Sequence, residues 1–374
     1  MNYQCSAVDA GLFVSVNGLV GLCCSGWSGL GSIREQPINE IFASKRYIEI
    51  KQNLANNQPH EYCNGCYNIE RTAPGSSQQS AFNQHYPNTD GTRKIKLADI
   101  RWSNVCNLSC RYCNTQDSSE WRRLQGLPIE TVNKDYVESL FNEIEKNKDN
   151  INHIYLLGGE PLLQKHNERL LKIVNKNVQI DVLTNGSVAN LEKNKIYNLL
   201  KDFKNTYWNL SFDNVGDRFE YVRAGADWSV LKSNISTMLG NFGSNNVTFH
   251  PVYTLWNALN LKEFYRFADE MGNLRVNWQL GLAKVDGPEY ASDGFLVFGH
   301  NRQIINRAIE EIDTLGREDY FLAGVRDSLA KDQPVANKGK HFLDWTAKVE
   351  KLIPPKRTFK ELWPELNTLL TDDE

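Results

Sequence analysis

From Gly11 to Leu22 two apolar runs rich in β-prone residues flank Asn17-Gly18. That dipeptide tolerates the positive φ of tight turns, so the pattern predicts a β-hairpin with a two-residue turn. The hairpin carries Cys23 and Cys24 back toward Cys5. Ile38, Ile41 and Phe42, then Tyr47, Ile48 and Leu54, suit one or two short helices, with Pro37 tolerated in a first turn. Residues 72–92 are rich in Ser, Gln, Asn, Gly and Pro, show no period, and read as a linker at a domain boundary.

Beyond the linker, short apolar runs alternate with amphipathic stretches. Strands are expected at 96–102, 153–157, 178–184, 207–212, 247–252 and 274–280. Val137, Leu140, Phe141 and Ile144 repeat at helical spacing, as do Ile196, Leu199, Leu200 and Phe203, and then Leu231, Ile235, Met238 and Leu239. Leu261, Phe264, Phe267 and Ala268 form a further helical face that Gly272 can end, and Ile304, Ile305, Ala308 and Ile309 another. Repeated β-then-α units impose parallel pairing with right-handed crossovers. The fold class is therefore α/β, and six units make a partial (β/α)6 barrel, short of full closure. Residues 1–71 are expected as a small Cys-rich domain, 93–315 as the barrel and 316–374 as a helical C-terminal segment built on Phe342, Trp345, Leu362, Trp363, Leu366 and Leu369.

Composition narrows the function classes. With 374 residues and 41% of them hydrophobic, the chain can bury a substantial interior, which excludes a disordered tail or a disulfide mini-protein. A net charge of −3 gives no general attraction to nucleic acid or to an anionic membrane, so neither is an expected partner. No apolar run approaches the roughly 20 residues needed to cross a bilayer, and the opening residues lack a basic-then-apolar leader. A cytoplasmic location follows as the expectation. In a reducing compartment the eight cysteines read as metal ligands or reactive thiols, and all of them fall at or before Cys113.

The sharpest motif is Cys106, Cys110 and Cys113, a C-x3-C-x2-C run just past the first barrel strand. Thiolates at such spacing hold iron–sulfur clusters, and three of them leave one iron of a four-iron cube open to bind and activate a ligand. A zinc site completed elsewhere is the competing reading. With Tyr112 in the aromatic position, the run resembles the C-x3-C-x-aromatic-C signature of the radical S-adenosylmethionine (radical SAM) superfamily. Gly158, Gly159, Glu160 and Pro161 end the second strand, where that family uses GGEP to recognise the methionine amino group of S-adenosylmethionine.

Polar turns recur at the next strand ends: Asn185 after the third strand, Ser211 and Asp213 after the fourth, Asn257 after the fifth. In parallel α/β barrels these ends form the active face, although Asn, Ser and Asp are also ordinary turn residues. The resemblance implies that Ser211 and Asp213 lie near the nucleoside. Arg223 suits the S-adenosylmethionine carboxylate because a guanidinium matches a carboxylate bidentately; an exposed surface role is the alternative.

Cys5, Cys23, Cys24, Cys63 and Cys66 form a second constellation able to enclose structural zinc or a fully ligated cluster. The segment resembles the twitch domain and its larger relative, the SPASM domain, which usually follow the barrel and here precede it. One of Cys23 and Cys24 suffices as a ligand, and Cys23 is favoured by its distance from Gly18. The seven histidines show no ligand spacing; His250 reads as a packed core residue. Trp256, near a strand end, is placed to line a pocket. No phosphate-cradling glycine loop is present.

The resemblance covers about residues 1–70 and 96–280. It implies a [4Fe–4S] cluster that binds S-adenosyl-L-methionine, an auxiliary [4Fe–4S] cluster, and reductive cleavage to a 5′-deoxyadenosyl radical that abstracts hydrogen from a substrate. The expected substrate is a peptide or protein, with an amino sugar or nucleotide as the alternative and a flavodoxin or ferredoxin as electron donor. A non-catalytic zinc or electron-transfer protein is the reading from another class.

Overall fold

Among the described residues the alternating and blocked apolar runs resolve into eleven strands: β1 (Gly11–Val14), β2 (Leu19–Gly21), β3 (Gly31–Ser32), β4 (Leu97–Ile100), β5 (His153–Leu156), β6 (Gln179–Thr184), β7 (Asn205–Leu210), β8 (Val247–Phe249), β9 (Val252–Tyr253), β10 (Arg275–Val276) and β11 (Gln279–Leu280). The structure is a computed structural model and describes residues 2–26, 28–87, 91–128, 134–280 and 297–371. The chain divides into two compact units that interleave along the sequence.

The first unit comprises Met1–Val105, Ile129–Leu183 and Glu192–Tyr207. Its strands lie in the order β3-β2-β1-β4-β5-β6. β1 and β2 are antiparallel, whereas β1 pairs in parallel with β4, Gly11 opposite Leu97 and Val14 opposite Ile100. β4, β5 and β6 continue in parallel. Ala98, Ile100, Ile154, Leu156, Ile180 and Val182 share one face and are wholly buried, as are Leu140, Phe141 and Ile144 on the helix Lys134–Asn147. The other face carries Asp99, His153, Tyr155, Gln179 and Asp181. It is polar where a parallel sheet covered on both sides would be apolar.

Three expectations change here. The hairpin turn is not the two-residue type: Ser15 and Leu19 bracket it, the Gly18 N–H donates to Ser15 O at 2.8 Å, and only Gly18 has positive φ (82°). A two-residue type I′ turn needs two such residues, whereas a type I turn closed by one left-handed glycine needs one. The segment read as a linker contains the helix Gln78–His85, capped by Ser77 and anchored by buried Phe82. A single buried apolar residue leaves almost no helical period to read. Tyr86, just past that helix, shares a 2.6 Å hydrogen bond with His153, which meets Asp181 at 2.6 Å. Finally, β1 does not stop at its hairpin. β2 pairs onward with β3, and β4 satisfies the free edge of β1.

The second unit comprises Cys106–Pro128, Thr184–Leu191 and Trp208–Glu374. Trp208 to Leu210 of β7 pair in parallel with β8, and β8 with β10. The strand expected at 247–252 breaks after Phe249, because Pro251 has no N–H to give a ladder. β9 then pairs with β11 in a separate two-stranded sheet. The expected strand at 207–212 begins and ends two residues earlier, and that at 274–280 is two short pieces. Past Gly316 the described chain is helical: Tyr320–Lys331, Lys338–Leu352, Phe359–Leu362 and Pro364–Thr371. Phe342, Trp345, Phe359, Leu362, Trp363, Leu366 and Leu370 form one buried cluster with Trp121, Tyr221 and Trp256. Trp256 is thus core rather than pocket lining: it is fully buried, 5.7 Å from the Phe342 ring. His250 is half-buried beside Gln279, and burial pushes its pKa below the usual range.

Candidate functional site

In the second unit Cys106, Cys110 and Cys113 leave one short loop held at several points. The Ser109 N–H donates to Ala224 O at 2.9 Å and the Arg111 N–H to Val222 O at 2.8 Å, so the loop runs beside the segment bearing Arg223. The Cys113 N–H returns to Cys110 O at 2.9 Å, and the Cys106 N–H meets the Ser119 hydroxyl at 3.1 Å. Trp121 Nε1 donates to Cys110 O at 2.8 Å. Arg111 points away from the thiols: its Nε donates to Tyr221 O at 2.8 Å and its Nη2 to Ile353 O at 3.1 Å.

Burial pushes the Cys110 and Cys113 thiols above their ordinary range, with Arg223 opposing the shift at Cys110 and Cys110 adding to it at Cys113. Buried neutral thiols of this kind release protons when a metal binds. The donor set is three soft sulfurs on one hydrogen-bonded loop, a chemistry that suits an iron–sulfur cluster more than a single ion, on which the three do not converge.

Most of the expected strand-end residues in this unit gather around the loop. Asn185 Nδ2 donates to Asn107 Oδ1 at 2.9 Å and reaches Cys106 Sγ at 3.9 Å. Tyr112, Asp213 and Arg223 meet in one buried network: the Tyr112 hydroxyl donates to Asp213 Oδ2 at 2.6 Å and Arg223 Nε to the same oxygen at 3.0 Å. Asn257 Nδ2 donates to Asp213 O at 3.2 Å. Ser211 is tied instead to the neighbouring strand end, its N–H donating to Thr184 O at 2.8 Å. Asn107 and Ser119 support the loop without having stood out in the sequence, where neither has a motif to mark it.

Gly158, Gly159, Glu160 and Pro161 lie in the first unit, on the residues that lead into Cys106. The Gly159 N–H donates to Ser103 O at 3.2 Å and the Glu160 N–H to Val105 O at 2.7 Å. A Cβ on Gly159 would fall 2.3 Å from Val105 O, so glycine alone permits this approach. The Glu160 carboxylate is wholly buried and accepts the Leu162 N–H at 3.1 Å, and Pro161 opens the short turn that follows.

The first unit also holds the second cysteine group. Cys5, Cys23, Cys63 and Cys66 line one small pocket together with Tyr62, Leu22 and Gln79. Among the described residues no three His, Cys, Asp or Glu side chains converge as one metal ion would need; these thiols stand around the pocket walls. Burial, reinforced by Cys63 and Cys66, pushes Cys5 up to about 12, and burial pushes Cys63 up to about 11. Cys24 is exposed and absent from the lining, its thiol lying in the field of Asp99 and Arg101. Tyr62 accepts the Leu22 N–H at 2.8 Å and so ties the hairpin to the Cys63 segment, a role its sequence position beside a cysteine does not reveal.

Comparison with known proteins gives two family matches. The radical SAM superfamily matches residues 100–268, and the iron–sulfur cluster-binding SPASM domain matches residues 5–67. No curated protein matches the chain. Similar solved structures include native anSMEcpe with bound AdoMet and Cp18Cys peptide (18% identity, 61% of each chain covered, TM-score 0.42). Others are Streptococcus suis SuiB bound to S-adenosylmethionine (16%, 67% of this chain and 54% of that one, TM-score 0.40) and TYW1 with a lysine-pyruvate adduct bound (14%, 58% and 73%, TM-score 0.37). The chain thus spans 61% of that anSMEcpe chain and 54% of that SuiB chain. Mixed α/β architecture, a three-cysteine loop and a cysteine-lined N-terminal pocket all coincide with the two matched regions. Residues 100–268 are thus a radical SAM superfamily region, and a SPASM iron–sulfur cluster-binding domain at residues 5–67 lies ahead of it.

Proposed function

We propose that this protein is a radical SAM enzyme in which Cys106, Cys110 and Cys113 hold a [4Fe–4S] cluster and leave one iron for S-adenosylmethionine. Cys5, Cys23, Cys63 and Cys66 then hold an auxiliary cluster. The observation that carries this reading is the loop: three thiols, Cys110 buried and Cys106 and Cys113 partly so, on one hydrogen-bonded turn. Bound together, the cluster and S-adenosylmethionine supply a one-electron cleavage that gives methionine and a 5′-deoxyadenosyl radical able to take hydrogen from a substrate.

The chain's own residues shape what surrounds that chemistry. Gly158–Pro161 suit the methionine amino group, and Asn185 edges the three-cysteine loop through Asn107 and Cys106. The substrate proposed is a peptide or protein, as for relatives with SPASM domains, with a small molecule as the second choice. A flavodoxin or ferredoxin would deliver the electron, and the cytoplasm suits such chemistry because oxygen-sensitive thiolates persist in reducing surroundings.

Anaerobic purification with iron and sulfide counting tests the reading, since zinc without sulfide rejects it. Iron-loaded protein given reductant and S-adenosylmethionine should form 5′-deoxyadenosine. Alanine at Cys106, Cys110 or Cys113 should abolish that product, whereas alanine at Cys63 or Cys66 should leave the first cluster assembled.

A further inference from the structure

The helix Gln78–His85 lies outside both the SPASM and the radical SAM regions, yet it grips the first of the auxiliary cysteines. Gln79 and Asn83 stand four residues apart, so their side chains share one helix face. Residues 2–5 have no regular secondary structure, and this face holds them. Asn83 clamps Cys5 from both sides: its Nδ2 donates to Gln4 O at 2.8 Å and its Oδ1 accepts the Ser6 N–H at 2.8 Å. Those two groups belong to the peptide units on either side of the Cys5 Cα, so one side-chain amide plays the part that a neighbouring strand plays in a ladder. Gln79 is 5% exposed and lines the pocket with Cys5, Cys23, Cys63 and Cys66. Its Nε2 donates to Asn2 O at 2.7 Å and to Gln4 O at 2.9 Å. On the same helix the Ser80 hydroxyl donates to Glu70 Oε1 at 2.7 Å, and Glu70 belongs to the helix Asn64–Thr72 that carries Cys66. Buried Phe82 and the 2.6 Å Tyr86–His153 hydrogen bond fix the far end.

We infer that Asn83 and Gln79 are positioning residues for Cys5, and that the helix Gln78–His85 is a brace tying Cys5 to the helix of Cys66. This rests on the reading that Cys5, Cys23, Cys63 and Cys66 hold an auxiliary cluster. Cys23 sits in the turn just past β2, and Cys63 and Cys66 lie on helical turns, so those three are placed by the elements around them. Cys5 belongs to no strand or helix, and the side chains that place it come from 75 to 79 residues further along the chain. Outer hydrogen bonds of this kind orient metal ligands and set how firmly the metal is held. A four-iron cube is closed only when each iron has its thiolate, so releasing the Cys5 backbone uncovers one iron. A helix that merely filled space would move stability alone; a brace moves the coordination of that one iron.

The test uses full-length protein reconstituted anaerobically with iron and sulfide: wild type, Cys5→Ala, Asn83→Leu, Asn83→Asp, Gln79→Glu and the double variant Gln79→Met/Asn83→Leu. Excess S-adenosylmethionine covers the open iron of the first cluster. The three-iron electron paramagnetic resonance signal that ferricyanide then produces counts auxiliary cubes with an uncovered iron. Wild type should give little of it and Cys5→Ala the full signal. The double variant should approach Cys5→Ala, with at least about tenfold more signal than wild type, the factor that about 1.4 kcal/mol of lost hydrogen bonding produces. Gln79→Glu turns an oxygen toward two carbonyls and should exceed wild type although its size is unchanged. Asn83→Asp keeps the bond from the Ser6 N–H and should fall between wild type and Asn83→Leu. Added ethanethiol should suppress the signal in the double variant and in Cys5→Ala alike, because an outside thiolate replaces a missing ligand but does not repair a weakened fold. A double variant within about twofold of wild type, beside a full signal from Cys5→Ala, overturns the inference, as does a signal that ethanethiol leaves unchanged. If the double variant holds no auxiliary iron, Asn83→Asp decides: a raised, thiol-suppressed signal supports the clamp and a wild-type one overturns it. Wild type that holds no inorganic sulfide or already gives the full signal, or Cys5→Ala that gives none, instead rejects the four-cysteine cluster reading, and this assignment with it.

Discussion

Gly159 leaves no room for a side chain. Its missing Cβ would sit 2.3 Å from Val105 O and 2.6 Å from the Asn104 carbonyl carbon, both backbone atoms that cannot rotate aside. Gly159→Ala should therefore destabilise the protein by about 1–3 kcal/mol, the usual cost of overpacking a tight site, and should lower iron retention at the loop that begins at Cys106. Urea denaturation and iron counting measure the two effects; an unchanged urea midpoint contradicts the close approach. Adjacent cysteines give a second residue-scale contrast. Cys23 lines the pocket with Cys5, Cys63 and Cys66, while Cys24 faces Asp99 and Arg101. Cys23→Ala should remove the iron and sulfide of the auxiliary site and Cys24→Ala should leave both in place, as read by metal and sulfide content per chain. Sequence favoured Cys23 through its distance from Gly18; both cysteines lie in the turn just past β2, and the pocket lining sets them apart.

Elements differ in how much of their own reason for existing they contain. The helices around Leu140–Ile144, Leu231–Met238 and Phe264–Ala268 were legible because apolar positions recur at a helical period, and those positions are buried. The helix Gln78–His85 was not legible: its anchors are Phe82 and the Gln79 amide, which donates to Asn2 O and Gln4 O from a segment far away in sequence. Strand ends moved for similar reasons, since pairing partners and Pro251 decide where a ladder stops. In the C-terminal segment Trp363 is 3% exposed, stacks on Phe359 with ring centroids 5.4 Å apart and donates its indole N–H to Trp256 O at 2.8 Å. Trp363→Ala should cost about 3–5 kcal/mol, the range for emptying a large aromatic site, and calorimetry should show it as a lower Tm. A change within about 0.5 kcal/mol, as surface sites give, would mean that these helices do not cover the Trp256 cluster.

At the scale of the whole molecule, cysteine chemistry is tied to folding through protons. Unfolded thiols ionise near about pH 8.5, while burial holds Cys5 up to about 12 and Cys63 up to about 11 in the folded chain. The folded metal-free protein thus keeps protons that the unfolded chain releases. Its stability is full below about pH 8.5 and declines as pH rises toward those folded values. The urea midpoint of metal-free protein should fall between about pH 8 and 10.5, and that of cluster-loaded protein should fall less because its thiolates have already given up their protons. Equal slopes for the two forms would contradict this. Residue types and spacings alone determined the α/β class, the helical C-terminal segment, the three-cysteine loop and the GGEP turn, because periodicity and thiolate spacing are local properties of the chain. Only the tertiary structure decided that β1 pairs with β4, that Cys23 rather than Cys24 lines the pocket, and that Tyr112, Asp213, Arg223 and Val252 share one carboxylate. Those facts depend on partners 10 to 101 residues apart being brought together, where hydrogen bonding and the desolvation of charge decide what each side chain meets.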